Sequence, residues 1–533
     1  MLPLRPKPTS DESFLGYILR LTETNLYESP RWIAELGGLE PQLDNSVAFI
    51  FRAPADLPDF SRLTGLGQSE LGALTYAPSD PSNPASGHLF FGLPVSRSFF
   101  GGARAKVCPA CLRESNYCRR VWDLAAVTVC PAHKVLLMEQ CPNCTRRVKW
   151  LRKGVSVCLC DSDWRDSVSI PVDERELELT RHIHRLCGLA PALCAWTGVS
   201  NTSPLHGLAL GDLLSVLFLV ADQYENDMDA SGMNTTPTRK NAEVHSLLEK
   251  ALSAFESWPD NYWEFLGLLQ EHADGPRSVA RNGRTGLHKH FGTFYGRLYK
   301  HFAASQFDFM RDAFSEYVYR NWRGGYTGHL NRRQANDSLA ENKKYLSKGE
   351  AVRRLKISED SLFRFIEMGK LKVFEASRGR TRMLLIDADS LDGLRRELDQ
   401  TFSVREAADH LGVALGLVRA FVRRGLLSLV RGSAADGSKN WRLCQKSVEE
   451  LLSNIRGNIT PKPAAYTGPV ASFMMALRAV NGLNAVTFLE AIIGGEVSPC
   501  GEGSGMGLNR FLFYEADVRS YMRKRRVPMS IAA

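Results

Sequence analysis

The chain has 533 residues, of which 44% are hydrophobic and 23% are charged, and its formal net charge is +9. A chain of this length exceeds what one hydrophobic core organises, so we expect about three or four domains. The composition is that of a water-soluble globular protein, and no apolar run reaches the ~18 residues that a membrane span requires. The opening residues lack a secretion-signal pattern, which favours a reducing cytoplasm over an exported, disulfide-linked protein.

Cysteines at metal-ligand spacing dominate residues 108–160. Eight of the 12 cysteines lie there, in the motifs CPAC, CPAH, CPNC and CLC and in one single position. In a reducing compartment, each short Cys-x-x-Cys turn supplies half of a tetrahedral zinc site. Pairing the half-sites in chain order predicts two structural Zn²⁺ sites, each closed by four protein ligands. The first consists of Cys108, Cys111, Cys130 and His133, and the second of Cys141, Cys144, Cys158 and Cys160.

Two other interpretations of these cysteines are weaker. A redox pair would need one reactive CxxC in a βαβ setting, whereas several pairs follow one another here. A catalytic zinc site would keep an open position beside a general base, and the HxE and PCxxC motifs of zinc deaminases are absent from the sequence. Cys118 is expected to be a small buried residue, although its place between the half-sites makes it the substitute ligand if the pairing differs.

Residues 166–330 are predicted to form a helical body, because apolar residues recur there at helical spacing. Within it, LLSVLFLV at residues 213–220 indicates a buried helix. Polar stretches that begin at Glu225 and at Gly457, and RRQANDSLAENKK before the next region, are predicted loops or linkers. Three tryptophans are predicted to pack between helices rather than to stack on bases: Trp32, Trp258 and Trp263.

The positive charge of the chain lies in its C-terminal third. Residues 341–533 carry 31 Lys plus Arg against 21 Asp plus Glu, while residues 1–340 carry 36 against 37. Scattered charge usually marks solvated helix faces. A basic region that also contains a binding motif instead favours nucleic acid as the partner.

Two similar segments, residues 341–399 and 400–456, are predicted to be tandem winged helix-turn-helix repeats. Both can be read as helix, turn, helix, a two-stranded wing and a closing helix, and Gly369 of the first aligns with Gly425 of the second. A glycine there ends the second helix and reverses the chain. Residues 470–527 are predicted to be a degenerate third copy.

The second helix of each repeat is the expected reader of a DNA major groove, and the wing is expected to reach phosphate or the minor groove. Small residues at Ala351 and Ala407 would let two helices cross closely. Arg364 in the first repeat and Arg419 in the second are the expected base contacts. The predicted DNA-binding residues are Ser361, Arg364, Arg378, Arg380, Arg382, Arg419, Arg423, Arg424, Lys439 and Arg442.

Catalytic motifs are missing from the sequence. It contains no GxxxxGK[ST] phosphate loop and no nuclease-like carboxylate triad, so neither ATP hydrolysis nor DNA cleavage is expected. We therefore predict a binding protein that is not an enzyme.

The sequence resembles the TniQ family, whose longer members include the TnsD target selectors of transposons. The resemblance rests on the tandem CPAC/CPAH and CPNC/CLC motifs, the opening RPKPTSDESFLGYILRLTE, and the segments RLTGLGQSELGALT and ESWPDNYWEFL. It implies a mainly α, multidomain fold with a helical TniQ region at residues 1–105. Two zinc ribbons at 106–165, the helical body and the three winged helix-turn-helix repeats would follow it.

The resemblance also implies a function and partners. Members of the family select the insertion site on double-stranded DNA and recruit an AAA+ regulator, which in turn calls the transposase. Short members instead join an RNA-guided CRISPR effector, whereas the basic repeats favour direct reading of DNA here. Such a protein would act in the bacterial cytoplasm, at the nucleoid, with no membrane partner. A zinc-containing transcriptional regulator is the alternative, because it would have the same motifs without a transposase.

Overall fold

The computed structural model of the chain describes residues 1–39, 48–83, 87–101, 104–189, 203–225, 239–274, 286–323, 343–378, 381–433, 435–461 and 468–526. The linkers predicted from Glu225 and before the first repeat lie largely outside these residues, as does the middle of the one predicted from Gly457. The chain divides into two compact units, Met1–Val318 and Tyr319–Ala533. Within the described ranges, every helix is too short or too polar to cross a lipid bilayer.

The first unit begins with short helices around α1 (Phe14–Thr24). Ser13 caps α1 by accepting a hydrogen bond from the Gly16 amide at 3.0 Å. Most of α1 is buried, and Phe14 meets Phe60 edge to face with ring centroids 5.0 Å apart. The elements that follow are α2 (Pro30–Leu36), α3 (Pro58–Thr64), α4 (Gln68–Leu74), β1 (His88–Phe90) and β2 (Leu93–Val95).

The Cys-rich segment that comes next, residues 106–165, has little regular structure. Its α-helix is α5 (Pro109–Glu114), and the strands β3 (Val129–Cys130) and β4 (Val135–Leu136) form a hairpin. Isolated bridges such as Val107 with Met138 and Gln140 with Arg147 add backbone hydrogen bonds, and side-chain interactions contribute the remaining order of these 60 residues.

Helices make up the rest of the first unit. They are α6 (Glu178–Leu186), α7 (Leu210–Glu225), α8 (Asn241–Ser253), α9 (Asp260–Asp274), α10 (Leu287–Lys300) and α11 (Asp308–Asn321), the last of which crosses the unit boundary. Residues 213–220 lie in α7 and are buried apart from Ser215, so the predicted buried helix is confirmed. The division of this unit into three domains stays a prediction.

Two of the three tryptophan predictions are confirmed. Trp258 stacks on Phe255 with centroids 5.8 Å apart, and the indole nitrogen of Trp263 donates to the Ala313 carbonyl at 2.9 Å. The prediction for Trp32 is wrong, because 55% of this residue is exposed on α2. The residues beside Trp32 along α2 resemble those of a packed helix, so the sequence does not distinguish an exposed tryptophan from a packed one here.

The second unit contains three modules with one element order: strand, two helices, two strands and a helix. Module 1 consists of β5 (Tyr345–Ser347), α12 (Lys348–Leu355), α13 (Glu359–Glu367), β6 (Val373–Arg378), β7 (Thr381–Asp387) and α14 (Ala388–Asp399). Module 2 consists of β8 (Thr401–Ser403), α15 (Val404–Leu411), α16 (Leu415–Arg423), β9 (Leu429–Arg431), β10 (Arg442–Cys444) and α17 (Gln445–Gly457). Module 3 consists of β11 (Val470–Ser472), α18 (Phe473–Ala479), α19 (Ala485–Ile493), β12 (Gly501–Glu502), β13 (Phe511–Tyr514) and α20 (Glu515–Arg526). In each module the third strand lies between the other two in an antiparallel sheet.

Local sequence explains where the module helices begin and end. Ser403 caps α15, and the Glu406 carboxylate accepts the Ser403 amide hydrogen bond at 2.6 Å, which forms a capping box. Ser347 and Glu350 form the same box at the start of α12. A glycine with positive φ follows the second helix of each module: Gly369 (+71°), Gly425 (+81°) and Gly495 (+74°).

The three modules do not have three separate cores. Module 1 buries its own cluster, which includes Leu362, Phe365 and Leu391. Modules 2 and 3 share one cluster, whose members include Phe421 and Phe488 from their second helices. Modules 2 and 3 are therefore expected to behave as one body.

This shared core makes a testable prediction. Phe488 is fully buried, so Phe488→Ala should lower the free energy of unfolding by about 3–5 kcal/mol through lost contacts and a residual cavity. Hydrogen-exchange mass spectrometry should then show faster amide exchange throughout modules 2 and 3. The control, Leu391→Ala, should cost about 2–5 kcal/mol and should affect module 1 alone. Faster exchange confined to module 3 after Phe488→Ala would contradict the shared core.

Candidate metal centres and nucleic-acid interface

The first four-ligand cluster joins α5 to the hairpin of β3 and β4. Cys108 directly precedes α5 and Cys111 lies within it, while Cys130 ends β3 and His133 lies in the turn that follows. The Nδ1 atom of His133 is 3.3 to 3.5 Å from the three sulfur atoms. The four donor atoms all lie within 4.8 Å of one another, so the predicted ligands of the first site converge and could hold a metal ion.

The second cluster is built by two turns that carry two cysteines each. The sulfur atoms of Cys141 and Cys160 are 3.8 Å apart, and those of Cys144 and Cys158 are 3.7 Å apart. With metal–sulfur bonds of about 2.3 Å, a tetrahedral ion sets its sulfur ligands about 3.8 Å apart. The observed distances match that geometry, so this cluster could also hold a metal ion.

In three of the ligand turns, the residue directly after the second ligand has a left-handed backbone conformation. These residues are Lys134 (φ +53°), Thr145 (+58°) and Asp161 (+62°). The conformation costs a non-glycine residue about 1–2 kcal/mol, so it persists where the surrounding structure fixes it. The residue types at these positions do not reveal it, and sequence analysis missed it.

A carboxylate lies against the imidazole of the first cluster. The Nε2 atom of His133 is 2.9 Å from Oε1 of Glu114, at the end of α5. A carboxylate on the outer nitrogen orients a ligand imidazole and increases its basicity, which leaves Nδ1 to face the sulfur atoms. Sequence analysis missed Glu114, although it stands three residues after Cys111 on the same short helix.

Cys118 belongs to neither cluster. It is 1% exposed, and a guanidinium nitrogen of Arg152 lies 3.7 Å from its sulfur. Burial raises the pKa of its thiol to about 11. The expectation of a small buried residue is confirmed for Cys118, and its role as a substitute ligand finds no support in its position.

Three buried cations surround the ligand turns. The ammonium of Lys106 donates to three backbone carbonyls at 2.7 to 3.3 Å, and burial lowers its pKa to about 7. Arg120 donates to the carbonyls of residues 73 and 75 at 2.6 and 2.8 Å. Arg152 is fully buried and lies over two tryptophan rings at 5.0 and 5.5 Å. Sequence analysis missed all three, because buried and solvated cations look alike in a sequence.

In module 1, two predicted DNA-binding residues face module 2. Ser361 is only 2% exposed, and its hydroxyl lies 3.5 Å from the carbonyl oxygen of Asp436. The guanidinium of Arg364 lies against Gly437, where an added Cβ would be 2.6 Å from the arginine Cζ. Ser361 is therefore too buried for the DNA contact that the sequence predicted.

The wing arginines of module 1 are described only in part. The backbone of Arg378 ends β6, and that of Arg382 lies in β7, opposite Ser377. Their side chains lie outside the described part of the chain, and so does all of Arg380.

In module 2, four predicted DNA-binding residues line one groove of about 540 Å³. The groove is bounded by Ser403, Val404, Arg419, Arg423, Lys439, Asn440, Trp441 and Arg442, which come from the start of α15, from α16 and from the approach to β10. The Glu406 carboxylate lies 3.5 Å from Arg442. A hydrogen bond from the Ser403 amide lowers the pKa of the Glu406 carboxyl. Arg424 instead forms an ion pair at 2.5 Å with Glu490 of module 3. The groove is thus a cationic surface between a helix and a strand.

Together these features define a class of protein: a mainly helical chain with two clusters that could hold metal ions and a separate unit of three small modules. Residues 3–137 match the family model described as TniQ, so this part of the chain is similar to the TniQ family. The resemblance seen in the sequence is thereby confirmed, and it associates the chain with DNA transposition. The matched region includes the first cluster and ends before the second. No curated protein matches the chain significantly.

The two clusters predict the metal content. Elemental analysis of the purified chain should find about two Zn²⁺ per molecule, because each cluster offers four ligands to a tetrahedral ion. Cys108→Ser and Cys141→Ser should each remove about one ion and lower the soluble yield. The matched control is Cys118→Ser, which changes a buried thiol outside both clusters and should keep both ions. Equal metal loss in all three variants would contradict the ligand assignment.

Proposed function

We propose that the chain selects the target site of a transposition system. It would bind double-stranded DNA in a sequence-specific manner, recruit an AAA+ regulator, and through that regulator bring the transposase. The observation that carries the proposal is the groove of module 2, where four cations converge in a chain whose residues 3–137 match the TniQ family model.

Winged helix-turn-helix architecture is the interpretation that best explains the three modules. Each places two short helices before a pair of antiparallel strands and closes with a helix. Ala351 and Ala407 are fully buried, as expected where two helices cross closely. In such modules the second helix enters the major groove and the strand pair reaches the adjacent backbone.

The electrostatics of module 2 suit this role. Arg419 and Arg423 stand on the second helix, while Lys439 and Arg442 stand at the strand pair, so one DNA strand could contact both elements. Phosphate contacts of this kind supply affinity and fix the register, and contacts to base edges supply specificity. Glu406 offsets part of the charge beside Arg442 and leaves the other three cations as the main source of positive potential.

Zn²⁺ is the ion that we propose for both clusters. Thiolates and imidazole are its preferred ligands, and four of them close each site, which leaves no position for a substrate. Both ions would therefore be structural. They would stabilise the Cys-rich segment, which has little regular structure of its own.

The two ends of the chain would then have different tasks. Residues 1–340 are nearly neutral and contain the clusters and the matched family region, so we assign recruitment of the regulator to them. Residues 341–533 carry the positive excess, so we assign DNA binding to them. The chain would act as an adaptor without enzymatic activity, in the cytoplasm at the nucleoid.

Salt dependence tests the DNA contact. Replacing Arg423 and Arg442 together with Ala should weaken binding to a duplex of about 30 bp and lower the slope of log affinity against log salt by about 2. The matched control replaces Arg456 and Arg519, which lie on α17 and α20 and do not line the groove, so the net charge changes equally. Fluorescence anisotropy across a salt series measures both slopes. Equal effects of the two double variants would show that the groove is not the contact.

Recruitment can be tested separately from DNA binding. The groove variant should still co-precipitate the AAA+ regulator of its transposition system, because the substitutions lie in the second unit. Cys108→Ser should instead weaken capture of the regulator, because losing a ligand of the first cluster disturbs the fold of the first unit. Pull-downs without DNA measure this, and loss of the regulator in the groove variant would overturn the division of tasks.

A further inference from the structure

The second helices of the three modules differ in charge. The helix α16 of module 2 carries Arg419 and Arg423 and no acidic residue. The corresponding α13 of module 1 carries one cation, Arg364, against three acids: Glu359, Asp360 and Glu367. The corresponding α19 of module 3 carries Glu490 and no cation. Because phosphates line both sides of a DNA groove, only α16 has a charge that suits entry.

The outward face of α13 is already occupied in part. Ser361 is buried against the carbonyl of Asp436, and the guanidinium of Arg364 covers Gly437. Both partners lie within residues 435–438, in the connection between β9 and β10 of module 2. The single cation of α13 thus contacts protein at Gly437, although Arg364 is itself exposed.

The Asp436 carboxylate holds together the described residues beside α13. Asp436 is 1% exposed, and its carboxylate accepts hydrogen bonds from Arg431 at 2.9 Å, from the Gly432 amide at 2.8 Å and from the Ser438 amide at 3.1 Å. Burial alone would raise the pKa of this carboxyl, but these hydrogen bonds hold it below its usual value. A helix with its side chains is about 10–12 Å wide and a major groove is about 12 Å wide, so residues beside α13 compete with DNA for the space that groove entry needs.

The helix α19 is buried from the other side. Phe488, Leu489 and Ile492 lie in the core shared with module 2 and are fully buried. Glu490 pairs with Arg424, directly after α16. Of the nine residues of α19, only Ile493 is exposed. This helix therefore packs against module 2 and presents little surface to a ligand.

The exposed face of α16 carries both of its cations. Leu415 is 43% exposed at its start, and Gly416, Arg419 and Arg423 are exposed on the same side. The N-terminal part of a reading helix meets base edges, whereas its last turn lies near the backbone. Arg419 is therefore placed for a base and Arg423 for a phosphate.

We propose that α16 alone of these three helices reads base sequence, that Arg419 determines its specificity, and that modules 1 and 3 are braces that hold it. This inference rests on the proposed DNA binding and assigns the reading to one module. It replaces the expectation that Arg364 contacts a base and that the second helix of each repeat reads a major groove. The recognised core should then be short, about 3 to 5 base pairs, as for one reading helix.

Selection from a pool of random duplexes of about 30 bp, with the full chain, tests the assignment. With the unchanged chain one short motif should be enriched. Arg419→Lys keeps the charge but loses two-point contact with a base, so it should lower discrimination at one position by about 10- to 100-fold. Arg364→Lys should leave the motif unchanged. Arg423→Ala should weaken all sequences by about the same factor.

Three results would count against the assignment in different ways. A motif that changes with Arg364→Lys, or one that Arg419→Lys leaves intact, would overturn the reading role of α16 while DNA binding stands. If no sequence is enriched by the unchanged chain, the proposed sequence-specific function itself is wrong. An enriched motif of two helical turns would show that the neighbouring modules also read.

The brace at α13 can be tested without DNA. Gly437→Ala places a Cβ against Arg364, at a residue with φ +72°. The control is Gly425→Ala, which imposes a similar backbone strain at φ +81° but has no neighbouring atom within 4 Å of the added Cβ. The Arg364 guanidinium would have to move off the turn, so hydrogen exchange of residues 359–367 should become measurably faster in the first variant only. Adding Arg364→Ala to Gly437→Ala should restore slow exchange, because it removes the clash. Equal exchange in the two glycine variants would overturn the brace.

Discussion

Buried cations that donate to backbone carbonyls hold the Cys-rich segment in place. An ammonium or guanidinium away from water costs several kcal/mol unless its hydrogens find acceptors. Lys106 meets this condition with three carbonyls two residues before the first ligand, and Arg152 stands between the two turns of the second cluster. Lys106 thereby connects the backbone before the first ligand turn to residues 124–127, and Arg152 fixes the loop before Cys158. The two clusters can then form on a backbone that has little regular structure.

The second unit shows how repeated modules can acquire different roles. A single element order was retained three times, yet one module keeps its own core and the other two share one. Once α19 contributes to the core beneath α16, it loses the free face that a ligand needs, but it gives α16 a fixed support. Charge follows the same division, since only the second helix of module 2 carries cations without acids. For the proposed function such a support would matter, because a base contact works only at a defined position.

Sequence alone could predict the ligand sets and the module order, because both depend on short-range patterns. Cysteine and histidine spacing determines which residues share a turn, and the recurring glycine after each second helix marks a chain reversal. The remaining features depend on residues distant in sequence. The contact of Arg364 with Gly437 cannot be seen from the residues of its own helix. The neighbours of Trp32 and Trp258 in the sequence likewise do not show that Trp32 is exposed and that Trp258 packs on Phe255. Burial of Lys106 is likewise a property of the assembled fold.

The contact between modules 2 and 3 gives the array a direction. Gly507, at φ +56°, leaves no room for a side chain because an added Cβ would be 2.2 Å from the backbone of Leu411, and the Asn509 side chain donates to the Gly412 carbonyl at 2.6 Å. At both junctions, therefore, the turn between the last two strands of the later module presses on the helices of the earlier one. Such an array can be extended at its C-terminal end by adding a module with a close-fitting turn. Reversing or shuffling its members would place bulky side chains against the backbone and separate the stack.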